Sequence, residues 1–285
     1  MLKRLSGVAG LFPTSILVGI SNESIAIFRA QRFFRKFAEP IFVGDYSLDI
    51  TETHDSEQFF SKLRNVLLAS GCAGKPIQIV LGNEQVRLFF VTPPDRPASL
   101  KDCRAAAAMR FQALYGEPVD NWRLDADWDA CAPFLACAIP EMQLARFNDV
   151  ISKLDSNLIS IQPYFISAWN RWRKNVSNND WFGVSQNNHF ALATLNHRRL
   201  MSIRTIHIEN LSSDQYWLDV FVRREALRLN VSQPTKLLIC GSPIDSEFTY
   251  TQEGTVHVNH VRLPRESKQR LSDARQFIIN TSGRK

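Results

Sequence analysis

The sequence predicts an α/β protein assembled from two copies of a β-β-β-α-β unit, with a smaller α/β module inserted between them. Three observations carry that expectation. Strand-like runs give way to one helical period and then to a short apolar run, once over residues 15–81 and again over residues 181–240. The order of segments is the same both times, and Val18-Gly19-Ile20-Ser21-Asn22 lines up with Phe182-Gly183-Val184-Ser185-Gln186, the mark of an internal duplication. The stretch between the copies alternates strand and helix periods of its own.

In the first copy, residues 15–20 form a continuous apolar run, Ser21-Asn22-Glu23 supplies a turn, residues 24–30 read as a second strand, and a third follows around residues 33–43. Asp55-Ser56 offers an N-cap for a helix over residues 57–70, because a side-chain oxygen there can accept from the free amides of the first turn. Phe59, Phe60, Leu63, Val66 and Leu67 share one face of that helix, and Gly71 can adopt the left-handed conformation that closes it. Lys75-Pro76 then leads into a strand over residues 77–81.

The middle region opens with a strand over residues 86–91 and the loop Thr92-Pro93-Pro94-Asp95-Arg96-Pro97. Ser99 with Asp102 three residues on can cap a helix whose inward face is Leu100, Cys103, Ala107, Phe111 and Leu114, ended by Gly116. Strands over 121–125 and 134–139 follow, then a helix opened by Pro140 with Leu144, Phe147, Ile151 and Leu154 inward, and a strand over 158–161. Pro163 opens a helix to about residue 175. The second copy has strands over 181–185, 189–195 and 200–208, with the turn Gln186-Asn187-Asn188 after the first. A helix over about 214–230 with Leu218, Phe221, Val222 and Leu229 inward and a closing strand over 236–240 complete it. The chain thus divides into a first half (1–85 with 157–175), an inserted module (86–156), a second half (176–261) and a basic tail (262–285) read as frayed.

Length and composition exclude several classes. With 285 residues and 45% hydrophobic content, the chain is neither a disordered tail nor a small stapled scaffold. The net charge of +6 resides at the ends, since residues 1–40 and 262–285 together carry +9 and the body carries −3. Five scattered cysteines without a CxxC pair suit a reducing compartment. Met1-Leu2-Lys3-Arg4 and the uncharged residues after it resemble a secretory signal, but Pro13-Thr14-Ser15 interrupts the apolar segment and a strand continues it, so a folded strand is expected. No other stretch of 18 residues lacks charge, so no spanning helix is expected.

Further clusters read as ordinary surface or core. His257 and His260, three apart on a strand, point to opposite faces. Asp125, Asp127 and Asp129 alternate like calcium ligands but lack the glycine and distal glutamate of such a loop. Phe33-Phe34-Arg35-Lys36-Phe37 and Trp169-Asn170-Arg171-Trp172-Arg173-Lys174 interleave aromatic and basic residues, which an element with one packed and one solvated face also produces. Nucleic-acid binding is accordingly the weaker expectation.

A duplicated β-β-β-α-β unit is the pattern of the ribonuclease-H-like halves of actin-like ATPases. The stretch Leu88 to Val91, Phe111-Gln112-Ala113-Leu114-Tyr115-Gly116-Glu117, Leu135-Ala136-Cys137-Ala138-Ile139 and Ser160-Ile161-Gln162-Pro163 with Trp169-Asn170 resembles the PilM-type proteins of type IV pilus assembly. It also resembles the cytoplasmic actin-like domain of the GspL family of type II secretion. The resemblance spans roughly residues 15–245 and rests on element order. It implies two halves facing one another across a nucleotide cleft, with an acidic residue in the first hairpin of each half to arrange Mg²⁺ and water. The family's first hairpin reads Gly-x-Asp-x-Gly; here the residues are Gly19, Ile20, Ser21, Asn22 and Glu23. In the second hairpin, after Gly183, Ser185 holds the Asp position and Asn187 the glycine position. Glu23 would project a negative charge where phosphate should sit. The glycine-rich adenosine turn is reduced to Cys240-Gly241-Ser242-Pro243, which an ordinary turn explains as well.

Gly19, Ser21, Asn22, Gly183, Ser185, Gly241 and Ser242 are therefore the expected lining of a degenerate nucleotide cleft. No catalytic residue, metal ligand or cofactor is assigned, hydrolysis is not expected, and ATP binding without turnover stays open. The alternative is an ATPase or sugar-kinase-like enzyme with rearranged ligands, which would need Asp45, Asp49 or Asp180 in the cleft. The resemblance further implies a cytoplasmic protein peripheral to the inner membrane, a partner that is an inner-membrane pilus or secretion protein bound through its cytoplasmic N-terminal peptide, and a relay to the motor ATPase. The peptide groove would be bounded by the module and the first half, near residues 86–91 and the 100–115 helix. The basic ends suit an anionic membrane surface.

Overall fold

The computed structural model describes residues 14–33, 36–37, 40–48, 56–95, 99–186, 189–207, 217–241, 257–260, 275–276 and 278. The two predicted copies form two sheets with the same strand order. In the first, β1 (Thr14–Ile20) pairs antiparallel with β2 (Ser24–Phe33) and parallel with β5 (Ile77–Leu81), and β5 pairs parallel with β9 (Leu158–Pro163). The short β3 (Lys36–Phe37) and β4 (Ile41–Ser47) both pair with β2. In the second, β10 (Asp180–Gln186) takes the central place, flanked by antiparallel β11 (His189–Asn196) and parallel β13 (Lys236–Gly241), with β12 (Arg199–His207) and β14 (His257–His260) at the edges. Ile20 stands opposite Leu81 and Val184 opposite Cys240, so Ser21 and Gly82 occupy the places that Ser185 and Gly241 hold in the other sheet. The third strand of the first copy departs from expectation. Instead of one strand over 33–43, β3 and β4 are separate, and β4 starts just after Pro40, which has no amide to give to a ladder.

Helix α1 (Glu57–Ala69) begins as its sequence implies: Ser56 Oγ accepts from the Phe59 amide at 3.2 Å, and Gly71 at φ +64° follows its end. Its apolar face lies in the first core, where Phe60 and Phe147 meet edge-on with ring centroids 5.3 Å apart. Phe147 belongs to α3 (Glu141–Ser152). That helix falls in the range assigned to the module, yet packs on α1, with Leu144 only half-buried.

The module proper is an antiparallel sheet in the order β6 (Arg87–Val91), β8 (Phe134–Pro140), β7 (Trp122–Ala126), covered by α2 (Leu100–Tyr115). Asp102 accepts from the Ser99 amide at 2.8 Å, and the inward stripe is Cys103, Ala107 and Phe111. Leu100 and Leu114, expected inward, are 47% and 45% exposed, because a three-stranded sheet is wide enough to cover only one narrow stripe of the helix.

Between the two large sheets lies α4 (Tyr164–Trp172), buried on every side from Tyr164 to Trp169, as befits a helix apolar all round. Its core draws Ala26, Phe28 and Val80 from the first sheet and Phe182, Val184 and Cys240 from the second. Ile278 is also buried there and Arg275 lies 4.0 Å over the Phe42 ring, so this part of the tail is docked and not frayed. Helix α5 (Trp217–Leu229) covers the outer face of the second sheet with Leu218, Phe221 and Val222, while Leu229 is half-buried. Among the described residues no helix is long and apolar enough to cross a membrane.

Candidate functional site between the two hairpins

In the first hairpin the Ser21 hydroxyl turns back on its own turn. It accepts from the Ser24 amide at 3.1 Å and the Glu23 amide at 3.3 Å and lies 3.1 Å from Ser24 Oγ. Gly19 sits in β1 between Ala26 and Val80. In the second sheet Ser185 is equally buried, but its Oγ has no hydrogen-bond partner among the described residues. Gly241, at φ +109°, lies so close that a Cβ would stand 1.8 Å from the Ser185 carbonyl oxygen, and a Cβ on Gly183 would stand 2.6 Å from Phe190. Ser242 lies outside the described residues.

Three residues that the sequence did not mark as site residues, Asn83, Glu84 and Gln186, join these hairpins. After β5 the chain passes Gly82 into a single 3₁₀ turn, Asn83–Gln85. Glu84 Oε1 accepts from the Asn22 amide of the first hairpin at 3.1 Å, and its other oxygen accepts from Gln186 Nε2 at the end of β10. Gln186 Oε1 in turn accepts from the Asn83 amide at 3.0 Å, and Asn83 Oδ1 accepts from the Phe165 amide of α4 at 2.9 Å. Burial pushes the Glu84 carboxyl above its ordinary range, opposed by hydrogen bonds from its own backbone, Gln186 and Asn22. The available signal was positional: Gln186 aligns with Asn22, and Gly82 aligns with Gly241 but precedes a polar run between two strands.

The carboxylate at the hairpins is therefore that of Glu84, not Glu23, whose side chain is on an exposed turn. Mg-phosphate binding needs acidic ligands for the cation and free amides for the phosphate. Here both Asp positions are serine, and the Asn22 amide already serves the Glu84 carboxyl, so it is not free for a phosphate. The residues at this place do not fit Mg-nucleotide. The alternative acids do not repair the site. Asp45 is exposed on β4, and Asp49 lies outside the described residues. Asp180 begins β10, roughly 20 Å along the strand from Gln186, and accepts from the Ser177 amide at 2.7 Å.

The remaining clusters are structural. Asp125 accepts from the Ala126 amide and Asp129 from the Cys131 amide, and among the described residues no group of His, Cys, Asp or Glu could hold a metal ion. Trp169 is in the core and Arg171 stacks 5.5 Å over Trp172, leaving Arg173 and Lys174 in solvent. The side chains of His257 and His260, and those of Phe33 to Phe37, lie outside the described residues. A groove of about 530 Å³ runs along β6 and α2; β12 and α5 of the second half form its far wall, and Asn83 and Glu84 of the first half also line it.

No protein-family model and no curated protein matches the sequence. Solved structures do. A Bacteroides thetaiotaomicron protein of unknown function with an actin-like ATPase fold superposes with a TM-score of 0.58 and 8% identity, over 82% of this chain and 84% of that one. The cytoplasmic domain of EpsL, an inner-membrane component of the type II secretion system of Vibrio cholerae, gives 0.58 and 10%, over 93% and 92%. The PilM-PilN type IV pilus biogenesis complex gives 0.50 and 11%, over 77% of this chain and 66% of its own. At such identities the likeness defines the fold, and the class of this chain is α/β with two actin-like halves.

Proposed function

We propose that this chain is a non-catalytic actin-like scaffold at the cytoplasmic face of an inner-membrane platform of the type II secretion or type IV pilus kind, holding a short peptide of a membrane partner. One observation carries the non-catalytic part: the Glu84 carboxyl group bridges Asn22 and Gln186, so the protein's own side chain occupies the place between hairpins that would otherwise serve a phosphate. The platform is suggested by the fold shared with the EpsL cytoplasmic domain and with the PilM-PilN complex. The basic ends add an electrostatic attraction to an anionic leaflet, and relay to a motor ATPase belongs to the same reading.

The test is a thermal-shift titration with Mg-ATP beside a phosphate-release assay. A scaffold gives no dose-dependent rise in melting temperature and no release, whereas a saturable rise in the unmodified protein overturns the reading. Glu84→Ala separates the two causes of the defect. If the serines suffice to abolish binding, it stays unresponsive. Recovery of a single-pass membrane protein on co-purification supports the platform.

A further inference from the structure

The groove between module and second half has two cationic walls, one of them ordered from beneath, while its acidic lining residue, Glu84, has both oxygens engaged by Asn22 and Gln186. Glu225 is 1% exposed on the inner face of α5, where a lone carboxylate would be costly. Both of its oxygens are taken by guanidinium groups: Oε1 by Arg204 of β12 at 2.6 Å, and Oε2 by Arg228 of α5 at 2.8 Å. One buried acid thus fixes two arginines, leaving an excess positive charge and unused N–H donors at the groove wall. The opposite wall carries Arg87 and Arg110, neither of which has a carboxylate partner among the described residues. The Arg87 guanidinium is held 5.5 Å over Tyr115 and 5.8 Å over Trp122, with its Nε buried and without a hydrogen-bond partner.

The space between these walls is not purely polar. Leu88, Phe90, Leu114, Ile203 and Leu229 line it as well. A bare inorganic anion has no use for such a lining, and an apolar peptide would leave the arginines unmatched. We infer that the groove binds an extended acidic segment of a partner protein, one that alternates Asp or Glu with large apolar residues and bridges the module to the second half. The inference rests on the scaffold reading for the kind of partner; the groove and its charges stand without it. Pre-ordering of Arg204 and Arg228 lowers the entropy lost on binding, and the opposed walls couple occupancy to the module's position.

A fluorescein-labelled octapeptide of alternating Glu and Leu serves as the probe, read by polarisation at low and physiological salt. The full chain binds it, and binds alternating Lys-Leu and Glu-Ser octapeptides far less. Arg110→Glu, at an exposed unpaired position, weakens binding at least about tenfold, while Arg224→Glu on an exposed face of α5 does not. Leu114→Glu provides a second variant that leaves the Glu225 cluster intact. Equal binding of the Glu-Ser peptide, or displacement by equimolar pyrophosphate, marks a simple anion site and overturns the proposal; so does an unchanged affinity in Arg110→Glu. If Mg-ATP is turned over while the peptide still binds, the scaffold reading falls and the groove remains.

Discussion

The two halves share a strand order and a register but solve the same crowded place in opposite ways. Where β5 ends, Gly82 at φ −55° has ordinary backbone, and the nearest atoms a Cβ there would meet belong to the Glu84 carboxyl at the end of a side chain. Where β13 ends, Gly241 has a left-handed φ and abuts the fixed carbonyl of Ser185. Ser21 is satisfied by its own turn, whereas Ser185 is buried and unpaired. Each region also uses one acid differently: Glu225 is matched by two cations, Glu84 by neutral donors. Both halves keep the central strand order, while the side chains at the strand ends differ.

The sharpest way to break this comparison is to place alanine at both glycines. Gly241→Ala should lose about 3 kcal/mol or more of stability, from backbone strain and a contact with main chain that cannot yield. Gly82→Ala should cost less, about 1–2 kcal/mol, because the displaced atoms end a side chain, although moving them breaks the Glu84 bonds to Asn22 and Gln186. Chemical denaturation measures both, and equal losses would show the two ends to be alike. Next in size, Glu225→Ala should cost roughly 2 kcal/mol by releasing two half-exposed arginines from a buried acceptor, and Glu225→Gln should recover part of it.

Smaller still is the serine pair. Ser21→Ala removes a hydroxyl that two amides use and should cost about 1 kcal/mol. Ser185→Ala removes an unpaired buried hydroxyl and should be neutral or slightly stabilising, within about 0.5 kcal/mol. Parallel melting curves decide, and a larger loss at Ser185 would reveal a partner for its Oγ.

Titration completes the contrast. The Glu84 carboxyl is raised in the folded state by burial, so the folded protein holds its proton more tightly than the unfolded chain. Stability is then full below the ordinary carboxyl value of 4.5 and declines as pH rises above it. Glu84→Gln should abolish that decline. The rings of His189 on β11 and His207 on β12 lie 4.8 Å apart and tilted by 58°, and burial and then His207 lower the His189 value. Its sign is opposite: the contribution is present above the ordinary value of 6.5 and fades as pH falls through it. His189→Asn should flatten stability in that lower range, the smallest of these effects.

The duplication, the helix caps at Ser56 and Ser99 and the absence of both hairpin acids were legible in the sequence because each is local. Caps depend on residues three apart, and strand and helix faces on periods of two and 3.6. Even there, tertiary context intervened: α3 left the module for the first core, Leu114 stayed in solvent, and Ile278 was recruited from the apolar stretch of a basic tail that reads as frayed. What only the tertiary structure decided was the filling of the cleft and the ordering of the groove. Glu84 meets Asn22 across 62 positions and Gln186 across 102, and Arg204 meets Glu225 across 21. Contacts at those separations leave no periodic trace. They are set by which strand ends the shared sheet order brings together, and by the need of each buried carboxyl to find a donor there.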